Sequence, residues 1–161
     1  MYKLILFMML MVYCMTATAL QFDEEVAIRA LFQAKHSVNY AAHAASQQID
    51  GAKLARGIHS IDAALARQVA ERYLRENMRL DENNDPLPDS FFRSRVNIAV
   101  FEVINENHAF PYTYENSAYD YRVTLQRPGV VLIIEVEFPR TYRVLGPITW
   151  RIKGCSELVY E

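Results

Sequence analysis

Histidine is the residue type in this chain best suited to bind a metal, but its spacing does not favour a site. His36 and His43 lie seven residues apart, which places them near one face of a helix. A convincing zinc site pairs histidines at i, i+4 or adds cysteine partners, and at least three ligands converge on the ion. His59 and His108 lie elsewhere in the chain. The pattern therefore predicts ordinary polar histidines.

A D-x-N-x-D run is the second candidate, and the chemistry would be calcium binding. Asp81, Asn83 and Asp85 have the spacing of the first ligands of a calcium loop. Such a loop also needs a glycine at its sixth position and an acidic residue at its twelfth. Pro86 and Phe92 stand at those positions, so we expect a polar loop and no calcium.

The remaining candidates for catalysis are isolated polar residues. Glu135 and Glu137 share one face of an extended strand because strand side chains alternate, and a solvated face explains them better than an acid/base pair. The chain has no Gly-rich phosphate loop, and no nucleophile-elbow motif surrounds Ser46, Ser60, Ser94 or Ser156. We therefore expect a non-enzymatic protein without metal or cofactor.

Composition narrows the possible partners. The 161 residues are 52% hydrophobic and 22% charged, which is typical of a folded chain. Lys and Arg total 17 against 19 for Asp and Glu, so there is no basic excess to attract nucleic acid. Cys14 and Cys155 stand far apart and do not form a disulfide framework.

The elements that must position these residues begin with an uninterrupted helix. Residues 1–49 contain neither Gly nor Pro, and at the usual rise per residue they predict a helix of about 74 Å. Residues 4–22 carry no charge and nearly match the length that crosses a bilayer. We expect residues 1–22 to form a membrane-embedded surface, with these contact residues: Leu4, Ile5, Leu6, Phe7, Met8, Leu10, Met11, Val12, Leu20 and Phe22.

The second half of the same helix, residues 23–50, is amphipathic. Its apolar residues recur in steps of three and four and line one helix face: Ala27, Leu31, Ala34, Val38, Ala41, Ala45 and Ile49. We expect this face to pack against a sheet. The acidic residues Asp23, Glu24 and Glu25 could meet Arg29 or Lys35 of a neighbouring copy, although Glu25 and Arg29 are also spaced to pair within one helix.

The charges that flank the apolar segment predict its orientation across a membrane. Lys3 precedes the segment and three acidic residues follow it, so the positive-inside tendency places the C-terminal part outside the membrane. The alternative is a cleaved signal peptide with an A-x-A site at Ala17 to Ala19, cut before Leu20. The long apolar run and the helical pattern that continues past the cut favour the uncleaved form.

Residues 51–161 predict an extracytoplasmic α+β domain. A second helix is expected over about residues 61–80, capped by Ser60 or Asp62, with its apolar face formed by Ile61, Leu65, Val69 and Tyr73. The Asp-, Asn- and Pro-rich residues 81–90 predict a loop.

The rest of the chain has the composition of strands. Residues 95–105 predict one strand, and residues 119–126 and 130–138 predict a hairpin about a turn in which Gly129 supplies a positive φ. Residues 142–145 and 148–160 predict a last extended pair, with a short helix at 155–160 as the alternative. An antiparallel sheet of three to four strands results, and the long helix is its available cover.

This organisation resembles the plan of type IV pilins and pseudopilins, in which a half-embedded helix lies on an antiparallel sheet. The last 28 residues, IEVEFPRTYRVLGPITWRIKGCSELVYE, are similar to the end of TadE-like minor pilins of tight-adherence pili. Ile5 stands where pilins have Glu, and no basic leader ending in Gly precedes the apolar run. Either the leader has been removed, so that Met1 is the mature first residue, or the protein shares only the shape.

The resemblance implies a structural subunit of a cell-surface filament that assembles through its apolar half-helix. Its partners would be copies of itself, pilus assembly proteins and the membrane, without nucleic acid. Two alternatives remain open: a solitary single-pass protein that binds an envelope partner, and a secreted protein released by signal cleavage.

Overall fold

A computed structural model describes residues 2–138 and 146–160 as an α+β arrangement in which a long N-terminal helix packs on a small antiparallel sheet. The predicted fold class is therefore confirmed. The elements are α1 (Tyr2–Ser46), α2 (Gly51–Leu54), α3 (Ala63–Met78), β1 (Asn97–Ile104), β2 (Tyr112–Asn116), β3 (Tyr121–Leu125), β4 (Gly129–Phe138) and β5 (Ile148–Glu157).

The helix α1 is continuous over 45 residues, as its freedom from Gly and Pro predicts. It ends at Ser46, three residues before the predicted end. Ile49 is therefore not part of the helix, and it forms an isolated antiparallel bridge with Ile61 instead. The chain turns there because Asp50 caps the short helix α2 by accepting hydrogen bonds from Ala52 N and Lys53 N.

The helix α3 lies within the predicted residues 61–80 and buries part of the predicted face. Asp62 is its N-cap and accepts from Ala64 N and Leu65 N, so Ser60 is not the cap. Leu65, expected in the core, is 42% exposed. The buried residues are Ala66, Val69, Ala70, Leu74 and Met78. Of the predicted apolar face, Val69 is buried and Tyr73 packs partly buried against the core, so only Leu65 was wrong within the helix. Ile61 is buried as well, but it precedes the helix.

The strands form two separate sheets. The larger one has the order β1-β4-β5 and is antiparallel throughout, while β2 and β3 form a two-stranded sheet of their own. In the larger sheet, Glu135 of β4 lies opposite Asn97 of β1 and Arg151 of β5. The strand β2 was not predicted, and its Thr- and Tyr-rich sequence is the signal that could have found it.

The predicted hairpin between residues 119–126 and 130–138 is wrong. The strand β3 pairs with β2, and β4 pairs with β1 and β5. Gly129 is not in the positive-φ region, and a Cβ there would lie 2.5 Å from Leu125 Cδ2 and 2.7 Å from the Ser156 carbonyl oxygen. The glycine is needed because the two sheets and β5 approach closely at this point.

The central strand β4 explains the layering of the molecule. Five of its side chains face the helices, and they are Val130, Leu132, Ile134, Val136 and Phe138. Val131 and Ile133 face the other way and pack with Tyr114 and Leu125 of the small sheet. The large sheet is thus covered by α1 and α3 on one face and partly by the β2-β3 sheet on the other.

The strand β5 extends through Cys155 to Glu157, so the alternative of a helix beginning at residue 155 is wrong. The strand expected at residues 142–145 lies outside the described residues. The loop predicted for residues 81–90 is confirmed: these residues contain no helix or strand.

Candidate functional site

The first half of α1 stands clear of the folded domain. We call residues 4–22 the apolar segment. In the 18-residue apolar window of this helix, none of the residues is buried against the protein, and the helix is long and apolar enough to span a membrane. The contact residues predicted here are between 43% exposed, at Leu20, and 70% exposed, at Leu4. The others are Ile5, Leu6, Phe7, Met8, Leu10, Met11, Val12 and Phe22.

The polar groups of the apolar segment are compatible with an apolar environment. The hydroxyl of Thr16 donates to the Val12 carbonyl oxygen at 2.8 Å, and that of Thr18 donates to the Cys14 carbonyl oxygen at 2.9 Å. Both hydroxyls therefore bond within the helix and do not require water. No charged residue interrupts residues 4–22.

The second half of α1 is buried along one face. Ala27, Ala34, Val38, Ala41 and Ala45 are all at most 6% exposed. Leu31 is half-buried against the same core. Ile49 is 37% exposed and lies beyond the helix, so its predicted place in the helix-sheet contact is wrong.

Sequence reasoning missed two further core positions on this face, Ala30 and Ala42, which are both 0% exposed. Alanine gives little hydrophobic signal, although its small volume is what permits close helix packing. The face is alanine-rich because both α3 and the sheet lie against it.

The approach of α1 to the sheet is closest at β5. A Cβ on Gly154 would lie 2.6 Å from Val38 Cγ1 and 3.3 Å from Asn39 Oδ1. Real Cβ atoms do not come so near to another heavy atom, so glycine is the residue that fits here. This contact sets the distance between α1 and the large sheet.

Hydrogen bonds hold the end of α1 against β5. Ser46 is buried, and its Oγ lies 2.9 Å from the His43 carbonyl oxygen, 3.0 Å from Ser156 Oγ and 3.2 Å from the Glu157 carbonyl oxygen. His43 Nδ1 lies 3.3 Å from the same Ser156 hydroxyl. These residues serve as a structural connection between the helix and the last strand.

A small cavity lies at the junction of the two halves of α1. It has a volume of about 320 Å³, and its walls include Leu20, Asp23, Ile148 and Trp150. Asp23 is only 6% exposed and faces its own domain, which the sequence did not predict. Of the three acidic residues that follow the apolar segment, Asp23 is therefore unavailable to a neighbouring copy.

The candidates for metal chemistry do not come together. No group of three or more His, Cys, Asp or Glu side chains that could hold a metal occurs in the described part of the chain. The Asp81 carboxylate accepts hydrogen bonds from Asn83 N at 2.8 Å and from Asp85 N at 2.9 Å, so it stabilises its own loop. His36 stacks on Tyr40, with ring centroids 6.3 Å apart.

Burial and neighbouring groups shift the pKa values of several side chains, Glu106, Cys155 and Tyr121 among them. Hydrogen bonds from Lys53 and Ser60 lower the pKa of Glu106 to about 2, with the Lys53 ammonium 2.6 Å from the carboxylate. Burial, and then the charge of Glu157, raises the pKa of the Cys155 thiol to about 11. Burial raises the pKa of Tyr121 to about 12, with further contributions from Cys155 and Tyr114. Cys155 is therefore a neutral, weakly nucleophilic thiol at neutral pH.

No protein-family model, curated protein or solved structure matches this chain. The resemblance to type IV pilins thus remains an expectation from the sequence. The features that bear on function are those of α1: a mostly exposed apolar segment, and a second half, buried along one face, that joins it without a break to the domain.

Proposed function

We propose that this protein is a structural, non-enzymatic subunit of a pilus-like filament, anchored in a membrane before assembly and displayed at the cell surface. The observation that carries the proposal is the exposure of the apolar segment. A folded protein rarely leaves such a long apolar helix in water, because each Å² of apolar surface that leaves water contributes about 25 cal/mol. A membrane or sister helices must cover it.

The second half of α1 supports assembly rather than anchoring alone. A flexible linker after a membrane span would let the domain move freely, but here the helix continues into the core for residues 27–45. The domain is held at a constant position relative to the apolar segment. Copies whose apolar segments pack side by side would therefore place their domains in a regular outer layer, and repeated head-to-tail contacts would give an open helical polymer.

The direction of insertion follows from the flanking charges. Lys3 precedes the apolar segment, and Glu24 and Glu25 follow it on the helix surface. The positive-inside tendency then places the domain on the outer side of the membrane.

The decisive experiment examines sheared surface material from cells that express the full-length chain. Electron microscopy should show filaments, and N-terminal sequencing of the filament subunit should give a chain that still contains the apolar segment. A secreted monomer that begins at Leu20 would contradict the proposal and establish signal cleavage. A membrane-retained protein that forms no polymer would support the solitary anchored alternative.

A charge within the apolar segment provides the matched variant. Met9→Asp places a carboxylate near the centre of a bilayer, which costs about 2.5–3.5 kcal/mol, so membrane retention and filament yield should both fall. Leu87→Asp is the control, because Leu87 is an exposed apolar residue of the domain, at 40% exposure. If Met9→Asp behaved like Leu87→Asp, the apolar segment would not be an assembly or anchoring surface.

A further inference from the structure

One side of the second half of α1 is exposed and carries both apolar and charged residues. At its start, Glu24 and Ile28 also line the cavity beside Ile148 and Trp150. We call Glu24, Ile28, Phe32 and Lys35 the outer strip. All four are exposed, Ile28 by 48% and Phe32 by 58%. Phe32 in particular is a large apolar side chain that the described part of its domain leaves mostly exposed. The strip begins directly after the apolar segment, so any surface that covers one adjoins the other.

The two charges of the outer strip differ from their neighbours. Glu25 and Arg29 are spaced i, i+4 and already form an ion pair at 2.5 Å within the helix. Glu24 and Lys35 form no ion pair with any other residue that the structure describes. They lie eleven residues apart, which is about three helical turns, so they point in nearly the same direction. The distance along the axis is about 16.5 Å, too great for them to meet within one helix.

The spacing of these charges suits a second copy of the chain. Copies that enter one membrane in the same direction have parallel helices. Parallel helices at the same height would bring Glu24 against Glu24 and Lys35 against Lys35, which is repulsive. A shift of eleven residues instead places Glu24 of one copy beside Lys35 of the next. We propose that the outer strip is the contact between successive subunits, with an axial shift of about 16.5 Å and a Glu24–Lys35 ion pair.

The axial shift is too large for two subunits that are both embedded in the membrane, so the contact would form only in the assembled polymer. Two copies that are both fully embedded lie level in the bilayer. A shift of about 16.5 Å is more than half the thickness of a hydrocarbon core of about 30 Å, so the contact forms only when one subunit has moved outward along the axis. It would then cover Ile28 and Phe32 as well as pair the two charges. The inference rests on the proposed filament function and specifies its partner and geometry.

Charge reversal tests this contact in the full-length protein. Glu24→Lys and Lys35→Glu each place like charges together at every contact between subunits, so each should lower the yield of sheared, pelletable polymer by about fivefold or more. The double variant Glu24→Lys with Lys35→Glu restores opposite charges, and its yield should return close to that of the wild type. Because these side chains are exposed, thermal unfolding should be unchanged in all three variants.

The matched control exchanges the neighbouring charges, Glu25→Arg with Arg29→Glu, and should leave the yield unchanged because their ion pair lies within one helix. The contact is overturned if either single reversal polymerises like the wild type, or if the double variant is no better than the single ones. If Met9→Asp still abolishes the polymer in that case, the filament function stands and only the outer-strip contact is lost. If the wild type forms no polymer, both proposals fail.

Discussion

At the scale of single residues, the position of α1 depends on Gly154, which has no Cβ atom. Gly154 lets Val38 Cγ1 occupy the space that a Cβ would need. The helix can therefore lie close to β5, and the alanines of its buried face reach the sheet. A side chain at residue 154 would move the helix away and weaken every contact along that face.

Gly154→Ala should therefore destabilise the full-length protein, by about 1–3 kcal/mol, because it overpacks the contact with Val38. Denaturant unfolding in detergent micelles measures the loss. Gly51→Ala is the control, because nothing lies within 4 Å of a Cβ there, and its stability should change little. Val38→Ala should lower the free energy of unfolding less in the Gly154→Ala variant than in the wild type, because it removes the clash. If the two substitutions were simply additive, the clash would not be the cause of the destabilisation.

The ion pair between Lys53 and Glu106 should make stability sensitive to acid. The folded-state pKa of Glu106, about 2, is below its ordinary value of 4.5, so its contribution is complete above pH 4.5 and is lost as the pH falls towards 2. Since the carboxylate is 36% exposed, we expect Glu106→Gln to cost at most about 1 kcal/mol at pH 7. Denaturant unfolding of the wild type and of Glu106→Gln should show that their difference in stability shrinks as the pH falls from 4.5 towards 2. A difference that stayed constant down to pH 2 would contradict the role of the Lys53–Glu106 ion pair.

At the scale of elements, α3 shows how packing selects a helix face. Ala66, Ala70 and Leu74 follow one another at four-residue spacing and are buried together with Val69, whereas Leu65, one position before Ala66, is exposed. The small alanines allow α3 to lie close to α1. Leu65 lies at the edge of this face and is 42% exposed.

Two leucine truncations in α3 test this orientation. Leu74→Ala should cost about 2–5 kcal/mol because Leu74 is 1% exposed and its loss leaves a cavity. Leu65→Ala should cost less than about 1 kcal/mol because that side chain is largely in water. Chemical denaturation of the two variants compares them directly, and equal losses would mean that α3 does not have this orientation.

At the scale of the whole molecule, α1 is a single helix whose two halves have different environments. One end carries the exposed apolar segment and the other end forms the core of the domain. No break separates the two ends. In the proposed filament, a subunit that packs through the apolar segment would therefore have its domain positioned by the second half of the helix, so we expect assembly to require a continuous helix.

Ala19→Pro separates these two roles. Proline removes one helical hydrogen bond and costs about 3 kcal/mol or more in a helix interior, so α1 should kink between its halves. The domain should unfold at its usual temperature and the protein should stay in the membrane, but filament yield should fall strongly. Ala19→Ser is the control, and a proline variant that polymerises like the wild type would show that a rigid rod is not required.

The sequence by itself determined the features that depend on local chemistry. The absence of Gly and Pro predicted one long helix, Ser60 or Asp62 was predicted as the cap of α3, and the charge-free residues 4–22 predicted an apolar surface. The Asp-, Asn- and Pro-rich composition of residues 81–90 likewise predicted a loop. Each of these follows from backbone propensity or from hydrophobicity along a short stretch of chain.

Only the tertiary structure decided which elements meet. The turn at residues 126–128 has the composition of a hairpin, yet the chain passes there from one sheet to another, because β4 is apolar on both faces and is paired by β1 and β5. The burial of Asp23, which lines the cavity beside Ile148 and Trp150, was likewise decided only there. Strand pairing and helix orientation are set by the fit of distant surfaces, which no local pattern of residues records.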